Sequence, residues 1–138
     1  MKALIFDPFS GASGDMIVAS LIDLGSDESV IRDFMESTAD VSVSINRILK
    51  KGISAVNVNV TTGKEHRRSY YELLDIIRSA SLPKEIEKNA LAIFSLLADA
   101  ESKVHGQPLD ELHFHEVGQN DALADVVGAC TAMNEFGT

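Results

Sequence analysis

With 138 residues and 45% hydrophobic side chains, the chain is long enough to form one domain with a substantial core. Its 21 acidic residues against 12 basic ones give a net charge of −9, which excludes a basic groove for a nucleic-acid polymer or an anionic membrane surface and favours a cation as ligand. The single cysteine rules out a disulfide framework within one chain, Asp7 interrupts the opening Met1-Lys2-Ala3-Leu4-Ile5-Phe6 before a signal-peptide core forms, and no apolar run approaches the length of a membrane span. A cytoplasmic protein is expected.

Taken in chain order, the continuously apolar Ala3–Phe6 predicts a short strand, followed by a glycine-rich turn and a helix from Met16 to Leu24 that Gly25 closes. Ser26-Asp27-Glu28 supplies an N-cap and acidic first turn for a second helix running to about Ser37. Val41–Ile45 and Val56–Val60 alternate at period two around Lys51-Gly52, predicting a β-hairpin with one buried face. Ser69-Tyr70-Tyr71-Glu72 has capping-box spacing and opens a third helix to about Ser79. Pro83 starts a longer helix with Ile86, Ala90, Ile93, Phe94 and Leu97 on one stripe, ending near His105-Gly106, where His105 would face the negative end of the helix dipole. The last unit is a strand from His113 to Glu116, a turn at Gly118 and a helix from about Asn120 to Glu135, in which Cys130 sits among small residues as a buried thiol. These elements define an α/β fold: a small mixed sheet containing the central hairpin, covered by helices, within a single domain.

Chemistry concentrates at two places. In His113-Phe114-His115-Glu116, strand alternation puts both imidazoles on one face and turns Phe114 toward a core, so His113 and His115 can meet one cation with Glu116 beside them. Asp121 and Asp125 follow at i, i+4 on one helix face, where their repulsion is relieved by a bound cation. The competing reading makes Asp121 a first-turn partner of the helix dipole, leaves Asp125 solvated and places the histidines along a strand edge. Imidazole and carboxylate ligands suit nickel, zinc, iron, cobalt or manganese.

The second place is Asp7-Pro8-Phe9-Ser10-Gly11-Ala12-Ser13-Gly14-Asp15. Its backbone N–H groups at a helix start, with Ser10, Gly11, Ser13 and Gly14, form a candidate phosphate cradle, although the lysine of a Walker A loop is absent. Asp7 and Asp15 add carboxylates suited to a divalent cation. Alternatively, the glycines only allow close helix packing.

Three segments together, Phe6-Asp7-Pro8-Phe9-Ser10-Gly11-Ala12-Ser13-Gly14-Asp15-Met16, Lys51-Gly52-Ile53-Ser54-Ala55, and His113-Phe114-His115-Glu116-Val117-Gly118 followed by Asp121, Asp125 and Gly128, resemble the N-terminal region of the LarC family of nickel-insertion proteins. The resemblance spans essentially the whole chain in the right order. It implies a cytoplasmic, lyase-class cyclometallase that inserts nickel(II) into pyridinium-3,5-bisthiocarboxylic acid mononucleotide in a CTP-dependent reaction of nickel-pincer cofactor biosynthesis. It also implies that CTP, with magnesium or manganese, is bound by a C-terminal domain absent from this sequence, supplied as a further domain or separate subunit, and it leaves room for a homo-oligomer.

The sequence departs from the family pattern in two ways. Relatives often carry a histidine-rich tract before the third helix, reduced here to Lys64-Glu65-His66-Arg67-Arg68, in which His66 and Arg68 are candidate contacts to the mononucleotide phosphate or simply part of a solvated loop. Many relatives also have cysteine where this chain has Pro8, which removes a thiolate from that turn. From a different functional class, the chain reads as a non-catalytic interaction or metallochaperone domain whose acidic face docks a separate C-terminal partner.

Overall fold

The computed structural model describes residues 3–64, 67–114 and 118–137. Among them the order is α1 (Gly14–Leu24), α2 (Glu28–Thr38), β1 (Val41–Lys50), β2 (Ile53–Thr62), β3 (Arg68–Ser69), α3 (Tyr70–Ser79), α4 (Lys84–His105), β4 (His113–Phe114) and α5 (Asn120–Glu135). The fold is of the mixed α/β kind, with the hairpin packed by one face on the helices. Its strands form two separate antiparallel ladders, β1 with β2 and β3 with β4.

Local chemistry accounts for the boundaries. Gly25 ends α1 at φ 124°, and the N–H groups of Gly25 and Ser26 return to Ile22 and Leu21 carbonyls at 3.0 and 3.1 Å. Asp27 caps α2 by accepting from the Ser29 and Val30 N–H groups, which holds its carboxyl below the ordinary range, first through the Ser29 hydroxyl and then through those amides. The hairpin turns on Lys51 and Gly52 at φ 52° and 82°, two left-handed residues whose twist matches the strands they join. Both hydrogen bonds of the Ser69–Glu72 capping box are made, and Gly106 closes α4 at φ 64°. On α4 the buried stripe is Ile86, Ala90, Phe94 and Ala98; Ile93 lies at its exposed margin.

The first expected strand is the clear departure. Residues 3–6 belong to no ladder, because no described strand lies beside them to accept their backbone hydrogen bonds. Ile5 is 85% exposed and Phe9 96%, while Leu4 packs against the core.

Helix α5 is the hub: it packs against α1, α2 and α4, the hairpin lies against α1 and α2, and α3 covers α4. Gly128 lets these elements meet, since a Cβ there would stand 2.7 Å from Met35 Sδ and 3.1 Å from a Val18 methyl. Val18, Leu21, Ile31, Leu123 and Val127 fill this junction, and Phe94, Leu73, Ile77 and Phe114 extend the core. Cys130 is buried and free, its thiol pushed up to about 11 by desolvation, so it is an inert core residue.

Candidate functional site

Two helix starts, those of α1 and α5, bring carboxylates together. Gly14, the first residue of α1, lies so close to α5 that a Cβ on it would fall 2.5 Å from both Cβ and Oδ2 of Asp125. Asp15 follows, its carboxylate accepting from the Ser13 hydroxyl and, at 2.8 Å, from the Met16 N–H. Asp121 sits in the first turn of α5 and accepts from the Ala122 N–H at 2.8 Å.

Asp125, one turn further along, is half-buried, and its Oδ1 has no hydrogen-bond partner among the described residues. Its pKa is raised from 3.8 to about 6, first by loss of water and then by the charges of Asp15 and Asp121; the Asp15 backbone N–H partly offsets the rise. A carboxylate that is desolvated, partly unsatisfied and flanked by two others is a place where positive charge is favoured.

The sequence-predicted residues therefore divide. Asp15, Ser13, Gly14, Asp121 and Asp125 are brought together around the two helix starts. Asp7 and Ser10 are exposed on the preceding turn, where the Gly11 N–H reaches the Pro8 carbonyl at 3.0 Å and Gly11 takes φ 85°. As a phosphate cradle this turn is poorly matched: the Ser13 hydroxyl is given to Asp15, and two carboxylates already occupy the helix ends.

His113 is exposed on β4 opposite Ser69, near the Glu72 carboxylate. That carboxyl is held below its ordinary value first by the Ser69 N–H, then by the Ser69 hydroxyl, with smaller help from His113 and Arg68. Phe114 turns inward as alternation requires and meets Tyr70 edge-on at 6.2 Å. His115, Glu116 and His66 lie outside the described residues. Among the described residues no three His, Cys, Asp or Glu side chains are gathered closely enough to hold a metal ion.

One tertiary arrangement escaped the sequence reading. The Arg68 guanidinium donates to the Gly118 carbonyl at 2.9 Å and to Asn120 Oδ1 at 2.6 Å, and Asn120 Nδ2 donates to the Asp40 carbonyl at 3.1 Å. Asn120 is only 2% exposed. Arg68 also pairs through its backbone with Phe114, so one residue holds both sides of the connection from β4 to α5. No local pattern signals this, because the partners of its guanidinium lie 50 and 52 residues away in sequence. A groove of about 640 Å³ between α3 and α4, with Arg78, Lys84 and Lys88 on its walls, shares no residue with Asp15, Asp121 and Asp125.

The described residues form a small α/β unit that gathers carboxylates at two helix starts. Comparison with known proteins makes this particular: the sequence model of the nickel insertion protein family matches residues 4–138, and the chain belongs to that family. A relative from Methanococcoides burtonii, provisionally named a nickel insertion protein, is 57% identical over 99% of this chain, and one from Archaeoglobus fulgidus with the same provisional name is 45% identical over 100% of this chain. A protein of Staphylococcus saprophyticus named as the pyridinium-3,5-bisthiocarboxylic acid mononucleotide nickel insertion protein is 32% identical over 99% of the chain. The chain spans only about a third of the length of these relatives, 35%, 35% and 36% respectively. No solved structure matches it.

Proposed function

We propose that this chain is the nickel-handling part of a cytoplasmic cyclometallase that inserts nickel(II) into pyridinium-3,5-bisthiocarboxylic acid mononucleotide. Nickel is here a substrate, delivered into new nickel–carbon and nickel–sulfur bonds. The observation that carries the reading is the buried, unpartnered Oδ1 of Asp125 beside Asp15 and Asp121, together with membership of the nickel insertion family. Asp125 and Asp15 attract the cation, Asp121 extends the acidic approach, and Asp7 lies on the neighbouring turn. His113, with His115 and Glu116 beyond it, supplies the imidazole and carboxylate donors that select a transition metal over calcium or magnesium.

CTP and its magnesium or manganese do not fit the glycine-rich turn, which lacks a lysine and directs its Ser13 hydroxyl into a carboxylate. We assign the nucleotide to the part of the family polypeptide outside this region. The Arg68 guanidinium anchors Gly118 and Asn120 at the start of α5, and its other N–H groups, which donate to no further described residue, are offered to a substrate phosphate.

A calorimetric nickel titration at neutral pH, with and without the mononucleotide, tests this. Asp125→Asn and His113→Ala should each weaken binding by more than 10-fold, about the lower bound for disturbing groups that merely orient ligands. Unchanged nickel affinity in a chain carrying His113→Ala, His115→Ala and Asp125→Asn together would overturn it.

A further inference from the structure

The segment Ala3-Leu4-Ile5-Phe6 is apolar at every position, the pattern of a strand covered on both faces, yet it carries no ladder. None of its backbone groups makes a hydrogen bond to another described residue. It forms one wall of a groove of about 450 Å³ whose other wall is α1, including Met16 and Leu24, 57% and 60% exposed. Among the described residues Asp7 is the only charged one lining this groove in a chain of net charge −9, so the surface suits an apolar segment rather than an ion or a basic peptide.

We propose that residues 3–6 form a sheet strand whose partner strand comes from the two thirds of the family polypeptide lying outside the region matched here, and that the added strand covers the groove along α1. The relatives supply the occupant: this chain covers 35% of the Methanococcoides burtonii protein and 35% of the Archaeoglobus fulgidus one, leaving ample polypeptide for a strand. A strand tethered in the same polypeptide acts at a high effective concentration, which favours it over a second copy of this chain. Strand addition satisfies the free N–H and C=O groups and buries Ile5 and Phe6 in one step.

Hydrogen exchange read by mass spectrometry, without metal, tests it. Exchange at residues 4–6 is compared between the 138-residue chain and a full-length chimera in which this chain replaces the matching region of the Methanococcoides burtonii relative. Those amides should exchange freely in the short chain at every concentration and at least about 100-fold more slowly in the chimera. Ile5→Pro, which removes a ladder donor, should lower the melting temperature of the chimera and leave that of the short chain unchanged. Equal exchange in both proteins overturns the proposal, as does protection that appears in the short chain with rising concentration, which would make a second copy the occupant. If the chimera does not fold, the same comparison between the whole Methanococcoides burtonii relative and its matching region alone decides the question.

Discussion

Asp125 is where a single side chain carries the most consequence. Folded, its carboxyl titrates near 6 rather than 3.8, so the native chain holds the proton more tightly than the unfolded one. Stability is therefore greatest with the group protonated, below pH 3.8, and is lost as pH rises toward about 6. Unscreened, the difference corresponds to about 3 kcal/mol at neutral pH; solvent reaching part of the side chain reduces it to about 1–2 kcal/mol. Asp125→Asn should thus stabilise the metal-free chain by that amount at pH 7 and by almost nothing at pH 4, as urea denaturation at the two pH values would show. The same variant should lose any rise in melting temperature on adding nickel. Gly14→Ala probes the contact from the other side. Alanine gains up to about 1 kcal/mol of helix propensity, but a methyl 2.5 Å from Asp125 forces a shift costing about 1–3 kcal/mol, so a net loss in the same assay is expected.

Among the elements, the short β3–β4 ladder and the start of α5 depend on Arg68. Removing its guanidinium leaves Asn120 Oδ1 and the Gly118 carbonyl without their donor in a site closed to water on the Asn120 side. Arg68→Ala should cost about 1–3 kcal/mol, and Arg68→Lys should recover only part of it, since one ammonium cannot reproduce two separate guanidinium bonds. A double-mutant cycle with Asn120→Ala should return a coupling of about 0.5 kcal/mol or more. By contrast His105, at the exposed end of α4, contacts Glu101 at 3.0 Å within the same helix. His105→Ala should change stability by no more than about 0.5 kcal/mol and leave nickel affinity untouched. A larger loss of nickel binding than that seen for His113→Ala would move the metal to the far end of α4.

At the scale of the whole molecule, helix α5 is where the elements join: its start carries Asp121 and Asp125, its centre meets α1 and α2 at Gly128, and its flank supports α4. No described helix is long and apolar enough to cross a membrane. The 138-residue chain should bind nickel without completing insertion. Incubated with nickel, mononucleotide and CTP and followed by mass spectrometry, it should form no multiple turnovers of nickel cofactor, whereas the longer family polypeptide should do so. Turnover by the short chain alone would return the nucleotide to the turn around Ser10, Ser13 and Asp15.

How much of this was legible in the sequence follows from the range of the forces involved. Caps, turns and periodicity act within a few residues, so the Ser69–Glu72 box, the Lys51-Gly52 turn, the Gly25 and Gly106 closures and the span of α5 could all be read from neighbouring letters. So could the shared face of Asp121 and Asp125, since i and i+4 are neighbours on any helix. A strand is different: it exists only when a second backbone lies beside it. Ala3–Phe6 has the composition of a strand and no described partner, while His113–Phe114 pairs with Arg68–Ser69 across more than forty residues. Tertiary packing alone decided that Gly14 touches Asp125, that Asp15 joins Asp121 around it, and that Arg68 ties two loops together. Each of those facts depends on burial and on distance through space, which local spacing in a sequence does not encode.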